Sequence, residues 1–279
     1  MGKHKLKNSK HRKYHDSIHA KHAPKKPFAA QQPPPKPTPR PQKSTKQPQH
    51  SRPEIPFEPH DRILLIGEGD FSFATSLLTH HGCADLTATC FDSAEELGRK
   101  YPQAAGHIAA LEAAGMSMLY GVDATKLDKR KEIKRERWDR VVFNFPHVGG
   151  KTRDVNRQVR YNQELLVAFF RAALPLLVPD GTIIVTLFEG EPYTLWNIRD
   201  LARHVGLRVG RSFRFSADAY PGYKHARTLG NIEGDGGWKG EERPARTYVF
   251  EKAEEGGQTR EPDGKKRRRD EDSDEDSDG

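Results

Sequence analysis

Three carboxylates stand where apolar runs give way to turns: Asp70 in "RILLIGEGDFSFATSL" (Arg62 to Leu77), Asp92 in "CFDSAEEL" and Asp123 in "GVDAT". In the first stretch Gly67, Glu68, Gly69 and Asp70 separate a strand-like run from a helix-like one. Glycines at such a turn let backbone approach a ligand, and the helix N-terminus that follows offers free N–H groups. Ser72 stands where a pyrophosphate fingerprint wants its third glycine, and Asp70 would repel a pyrophosphate. An acidic turn favours a cationic ligand instead, such as S-adenosylmethionine (SAM) with its ammonium and sulfonium. The competing reading is a plain strand-to-helix turn with Asp70 as N-cap. Asp92, about one βα unit on, can accept both hydroxyls of a ribose or cap the helix beginning at Ser93. Asp123 can hold an adenine amino group while Ala124 N–H meets the ring, or it is a turn residue.

A second cluster follows the fourth strand, in "FNFPHVGGKTRDVNRQVR". Asn144, Phe145, Pro146 and His147 resemble the Asn-Pro-Pro-aromatic tetrapeptide of amino methyltransferases, with Phe145 for the first proline and His147 for the aromatic. In that motif the Asn side-chain oxygen and a backbone carbonyl accept hydrogen bonds from a planar target nitrogen, while the aromatic ring stacks on the base. The alternative is that Pro146 only ends a strand and His147 faces water. Downstream, a Gly149–Gly150 hinge precedes Lys151, Arg153, Arg157 and Arg160, which suit phosphates or form a solvated helix face. In "YPGYKHAR", Tyr220 and Tyr223 can stack on bases beside Lys224 and Arg227, or pack over the sheet end. Glu189 and Glu191 are reserve rim acids.

These residues need a scaffold that brings strand ends together. Short β-branched runs alternate with helix-like stretches between Asp61 and Lys252, which predicts an α/β fold with a mostly parallel sheet. The expected strands are 62–66, 86–91, 117–120, 140–143, 182–187, 207–213 and 246–251. The expected helices are 72–79, 94–100, 104–114, 159–177 and 195–204, the fourth with Tyr161, Leu165, Phe169, Ala173 and Leu176 on one face. No helix separates the last two strands, so they are expected to pair antiparallel, an arrangement that departs from an all-parallel dehydrogenase sheet.

Of the 279 residues only 34% are hydrophobic, low for a wholly folded chain. Through Arg52 there are 14 Lys or Arg against the single acid Asp16, while the whole chain carries +8. The basicity therefore belongs to a Pro-rich tail, read as disordered over 1–59, ahead of a folded domain at 60–252 and a charged tail at 253–279. In that last segment Lys265 to Arg269 could be a nuclear import signal, and Ser273 precedes the acids Asp274, Glu275 and Asp276 of a kinase site. Cys83 and Cys90 are too few for a disulfide framework or thiolate zinc site, so free thiols and no metal are expected. No apolar run reaches the ~20 residues that span a bilayer.

Six blocks, "LIGEGDFSFATSL", "CFDSAEEL", "VDAT", "FNFPHVGG", "EPYTLWNIRDLA" and "YPGYKHARTLG", resemble in order the eukaryotic large-subunit rRNA uridine-N3 methyltransferases. The resemblance covers about Arg62 to Lys252. It implies a Rossmann-like SAM-dependent class I methyltransferase domain with a seven-stranded sheet ending in an antiparallel hairpin. It also implies residence in the nucleolus of the nucleus and methylation of a uracil nitrogen in ribosomal RNA or pre-ribosomal particles, by a chain taken as a monomer. Carried over, Gly67 to Asp70 would line the methionine end of SAM, Asp92 its ribose and Asp123 its adenine, and Asn144 to His147 would hold the target. Uracil N3 keeps its proton at neutral pH, so transfer needs that proton removed, with His147 the candidate base or, equally, a ring that stacks on the target. Other readings are a different RNA or protein acceptor, a noncatalytic RNA-binding assembly factor on this fold, and more remotely an NAD enzyme.

Overall fold

The computed structural model describes residues 53–228, 230 and 240–253. The expectations for the basic tail through Arg52, and for Lys265 to Arg269 and Ser273, lie outside those residues.

Seven strands form one sheet: β1 (Arg62–Ile66), β2 (Asp85–Thr89), β3 (Ser117–Leu119), β4 (Trp138–Asn144), β5 (Leu177–Phe188), β6 (Leu207–Arg214) and β7 (Ala245–Lys252). Their order is β3-β2-β1-β4-β5-β7-β6. The first five strands run parallel, and β7 inserts antiparallel between β5 and β6. This is the Rossmann-like mixed sheet with a terminal antiparallel hairpin that the pattern predicted. The centre of the sheet is apolar because helices cover both faces: Ile63, Leu64, Leu65 and Ile66 of β1 are all buried.

The helices are α1 (Ser72–His81), α2 (Ala94–Lys100), α3 (Ala104–Ala113), α4 (Lys131–Lys134), α5 (Val155–Ala173) and α6 (Ile198–His204). One buried cluster joins α5 and α6 to the sheet through Leu166, Phe169, Phe170 and Ala202. The other joins α1, α2 and α3 to the opposite face through Phe73, Leu77, Leu97 and Leu111. Phe57 belongs to the second cluster and meets Phe73 edge-on at 6.2 Å, so the packed region begins before residue 60. α2 starts on a Ser93–Glu96 capping box, which leaves Asp92 free of the capping role.

Two elements differ from expectation. α5 begins at Val155 because Asp154 accepts from Arg157 N–H and caps it. Its buried residues are Val159, Asn162, Leu166, Phe169, Phe170, Ala172 and Ala173, while Tyr161 and Leu165 are only half-buried. The inward stripe is rotated from the expected one because a polar residue, Asn162, takes an inward position.

Candidate active site

The order in which parallel strands are added reverses at β1, which has β2 on one side and β4 on the other. Ligands of doubly wound sheets bind at the carboxyl edge of such a switch point. The β1–β4 register pairs Ile66 with Phe143, so Gly67, just past β1, lies beside Asn144, the last residue of β4. The structure thus brings together two motifs that lie 77 positions apart in the chain. Glu68 N–H donates to Thr89 O at 2.8 Å and ties the turn to β2.

Both glycines are needed for reasons internal to the protein. Gly67 has φ +67, and a Cβ there would meet Phe143 Cε2 at 2.7 Å. A Cβ at Gly69 would lie 2.3 Å from Ala226 Cβ, so the backbone approach expected for a ligand is made at Gly69 by the chain's own segment 220–227. Glu68 is the least satisfied acid of the turn: desolvation pushes its carboxyl up to about 8, although Ala74 N–H donates to it at 3.3 Å and Asp70 adds a neighbouring negative charge. Asp70 is buried and accepts from Ser72 N–H at 3.1 Å and from Gln103 Nε2 at 3.2 Å, but the N-cap position of α1 falls on Phe71, which has no side-chain cap, so Asp70 is not the cap of that helix.

The two downstream acids hold cations. Lys100, the last residue of α2, places its Nζ 2.5 Å from Asp92 Oδ1. Asp123 caps the short turn 124–129 through Thr125 N–H at 2.9 Å and pairs with Lys126 at 2.7 Å. Burial raises the Asp123 pKa, but hydrogen bonds from Lys126 and Thr125 outweigh it and hold the carboxyl below its ordinary value. Ala124, the other residue expected at the adenine, is buried behind it.

The corner after β4 is aromatic. Phe145 has φ 51, a left-handed backbone that a proline could not adopt, which accounts for Phe where the related tetrapeptide has proline. Its N–H donates to Thr186 O, and its ring lies against Phe188 at 4.5 Å, His225 at 4.5 Å and Phe215 at 5.5 Å. Pro146 is buried, and His147 is half-buried with its ring 6.1 Å from that of Trp196. Gly149 N–H donates to His147 Nδ1 at 2.9 Å. The Asn144 side chain has no hydrogen-bond partner among the described residues, and neither does the buried Trp196 Nε1–H.

Sequence reasoning missed the clamp that shapes this corner. Asn162 accepts from Val148 N–H at 3.1 Å and donates to Gln158 O at 2.8 Å, while Gln158 Nε2 donates to Gly149 O at 2.5 Å. The signal was present: two amides four residues apart on an otherwise apolar helix face.

A strap over the turn was also missed, because its partners are far apart in sequence. Lys224 N–H donates to Ser72 Oγ at 3.1 Å, and Ser72 Oγ lies 3.2 Å from Lys224 O. Tyr101 Oη donates to Arg227 O, and burial raises the Tyr101 phenol to about 12. Within the strap Tyr220 stacks on Phe215 at 5.5 Å and lies 4.7 Å from Phe73, so it is a core residue and not a platform for RNA bases. Tyr223 is likewise committed, with its ring 5.6 Å from Phe73 and its hydroxyl hydrogen-bonded to His225 Nδ1. Burial, with Arg243 adding to it, lowers His225 to about 4.

Of the expected phosphate ligands, Lys151, Arg153, Arg157 and Arg160 are exposed around the start of α5, Lys151 lying 5.9 Å over the Tyr161 ring. Lys224 is exposed and Arg227 half-buried. Glu189 is exposed and pairs with Arg246 at 2.8 Å, and Glu191 is exposed.

A family model described as rRNA (uridine-N3-)-methyltransferase, BMT5-like, matches residues 64–227, from β1 through the strap. A 25S rRNA (uridine(2634)-N(3))-methyltransferase of Saccharomyces cerevisiae is 32% identical over 71% of this chain and 74% of its own length. The heavy metal-associated isoprenylated plant protein 41 of Arabidopsis thaliana is 37% identical over 61% of this chain, which spans only 34% of that relative. Among solved structures, NSun6 from Pyrococcus horikoshii superposes with a TM-score of 0.46 at 13% identity, over 71% of this chain and 49% of that one. By the extent of the profile match and of the yeast alignment, the chain belongs to the BMT5-like rRNA (uridine-N3-)-methyltransferase family.

Proposed function

We propose that this protein transfers a methyl group from SAM to N3 of a uridine in large-subunit ribosomal RNA. The observation that carries the reading is the meeting of the Gly67–Asp70 turn and Asn144 at the β1/β4 switch point, in a chain of this family. SAM supplies an electrophilic methyl on a cationic sulfur. The donor set suits it: Glu68 is a carboxyl short of compensation in the turn, and a ligand ammonium is the partner that would favour its charged form. Gly67, Glu68, Gly69 and Asp70 would line the methionine end, Asp92 the ribose, and Asp123 with Ala124 the adenine. Asn144 would accept from the target ring nitrogen through its unbonded side-chain oxygen. Phe145 and Pro146 would set the backbone beneath the base.

Lys151, Arg153, Arg157 and Lys224 are the exposed cations placed to meet phosphates, with Arg227 beside them. Ribosomal RNA within a pre-ribosomal particle is the proposed partner and the nucleolus the proposed place of work. A second reading, a noncatalytic RNA-binding assembly factor, is favoured by one observation. Ala226 on Gly69, Lys100 on Asp92 and Lys126 on Asp123 already satisfy much of the would-be donor site.

The deciding experiment pairs calorimetric titration of the full chain with SAM and nucleoside mass spectrometry of rRNA from cells lacking the protein, before and after incubation with it. Saturable SAM binding and appearance of N3-methyluridine are expected. SAM binding with a different methylated nucleoside would change the acceptor. No SAM binding, with RNA affinity retained, would select the assembly-factor reading.

A further inference from the structure

The hydrogen bond at His147 determines what that ring can offer. A backbone N–H is always a donor, so the Gly149 N–H to His147 Nδ1 bond, at 2.9 Å, requires Nδ1 to be the accepting nitrogen. In the neutral imidazole the proton then resides on Nε2, which has no partner among the described residues. Gln158 on Gly149 O and Asn162 on Val148 N–H fix the peptide units on either side of the one that carries Gly149 N–H, so α5 helps to hold that N–H on Nδ1. Burial lowers the ring's pKa and so favours the neutral imidazole.

We propose that His147 acts as a hydrogen-bond donor, through Nε2–H, to a carbonyl oxygen of the target uracil, and not as the base that removes the N3 proton. This rests on the reading above that uracil is the acceptor. The unmet hydrogen-bonding capacity of the corner has the right complement. His147 Nε2–H is a donor lacking an acceptor among the described residues, and the Asn144 side chain can accept. The Watson–Crick edge of uracil reads acceptor, donor, acceptor (O4, N3–H, O2), whereas cytosine presents an amino donor and an unprotonated N3 in those positions.

In the step itself the N3 proton passes to solvent hydroxide, and the resulting negative charge spreads over N3 and the flanking carbonyl oxygens. His147 Nε2–H stabilises that charge. The N3 lone pair forms the N–CH3 bond as the S–CH3 bond breaks, its electron pair stays on sulfur, and a neutral thioether and neutral N3-methyluracil result. A donor aimed at a developing oxyanion contributes about 10²–10³-fold in comparable sites.

Two measurements test this. The first reads the tautomer without any substrate: a long-range 1H–15N correlation spectrum of the histidine-labelled full chain, with His147 assigned by comparison with the His147→Gln protein. An unprotonated Nδ1 and a protonated Nε2 are expected, and a protonated Nδ1 overturns the inference whatever the enzyme does. The second is single-turnover methylation of rRNA from cells lacking the protein, with SAM affinity measured alongside. His147→Gln keeps a donor amide near Nε2 and cannot act as a base. It should stay within about 10-fold of the parent, while His147→Phe, which keeps a ring for stacking, should lose about 100-fold or more. Equal inactivity of the two variants, with SAM binding and melting temperature unchanged, would restore His147 as base. Full activity of the Phe variant would leave the ring with a stacking role only. If the parent chain makes no N3-methyluridine the functional reading falls, while the spectrum still decides the tautomer.

Discussion

The two halves of the carboxyl edge are built on opposite principles. At the ends of β1 to β3 nearly every polar group is tied: Asp70 to Ser72 and Gln103, Asp92 to Lys100, Asp123 to Thr125 and Lys126. At the ends of β4 and β5 the wall is aromatic, and the half-buried side chains of Asn144 and His147 retain unused hydrogen-bonding capacity. A ligand arriving at a tied rim must share or displace the cations already held there, Lys100 and Lys126. An aromatic wall with a small polar set selects by the pattern of donors and acceptors, since a buried group left unpaired costs about 1–3 kcal/mol. The difference predicts that corner variants change rate and base selection, while rim variants change donor affinity and stability.

The largest effect should come from Asn144→Ala, which removes the acceptor of the corner. Single-turnover methylation should fall by about 10²–10³-fold with calorimetric SAM affinity within a factor of about three. A comparable loss of SAM affinity would show that the two halves are not separable. Next, Gly67→Ala places a Cβ against the Phe143 ring at a left-handed backbone position. It should destabilise the protein by about 2–4 kcal/mol in denaturant unfolding. A neutral result would mean that the turn can rebuild.

Glu68→Gln sharpens the contrast through pH. The folded carboxyl sits at about 8 against 4.5 for the ordinary group, so folding favours its protonated form. Its contribution is therefore most favourable below the ordinary pKa and is lost as pH rises toward about 8. The Gln variant lacks that loss and should gain about 1–3 kcal/mol relative to the parent between pH 5 and pH 8.5. A difference independent of pH would place the carboxylate in water. The smaller effects are Asn162→Ala and Lys100→Met. The first should cost about 1–3 kcal/mol by orphaning Val148 N–H, and should slow methylation without weakening SAM binding. The second should change stability by under about 1 kcal/mol, because the Lys100–Asp92 pair is partly solvated.

Much of this fold is legible in the chain because a parallel sheet writes each strand as an apolar run. β1 falls on Arg62–Ile66, and all seven strands lie where expected. β5 is longer at its start because Pro179, Asp180 and Gly181 read as a turn. Pairing of Leu177 with Trp138 and a bulge absorb them, and Gly181 is required because a Cβ would meet Trp138 O at 2.8 Å. The acids of the rim are legible for a similar reason, since each follows a strand. The strap is not. Ser72 and Lys224 are 152 residues apart, and nothing local to "YPGYKHAR" distinguishes tyrosines that stack on RNA from tyrosines that fill the space above α1. Only the packing of Tyr220 against Phe73 and Phe215 decides it.

The backbone of Phe145 restricts the routes by which this corner could have arisen or could still change. At φ 51 neither proline nor a β-branched residue is comfortable, and the ring beneath is held by three aromatic neighbours. A Phe145→Pro change would therefore demand a different loop after β4, and would leave Phe188, Phe215 and His225 without the ring they enclose.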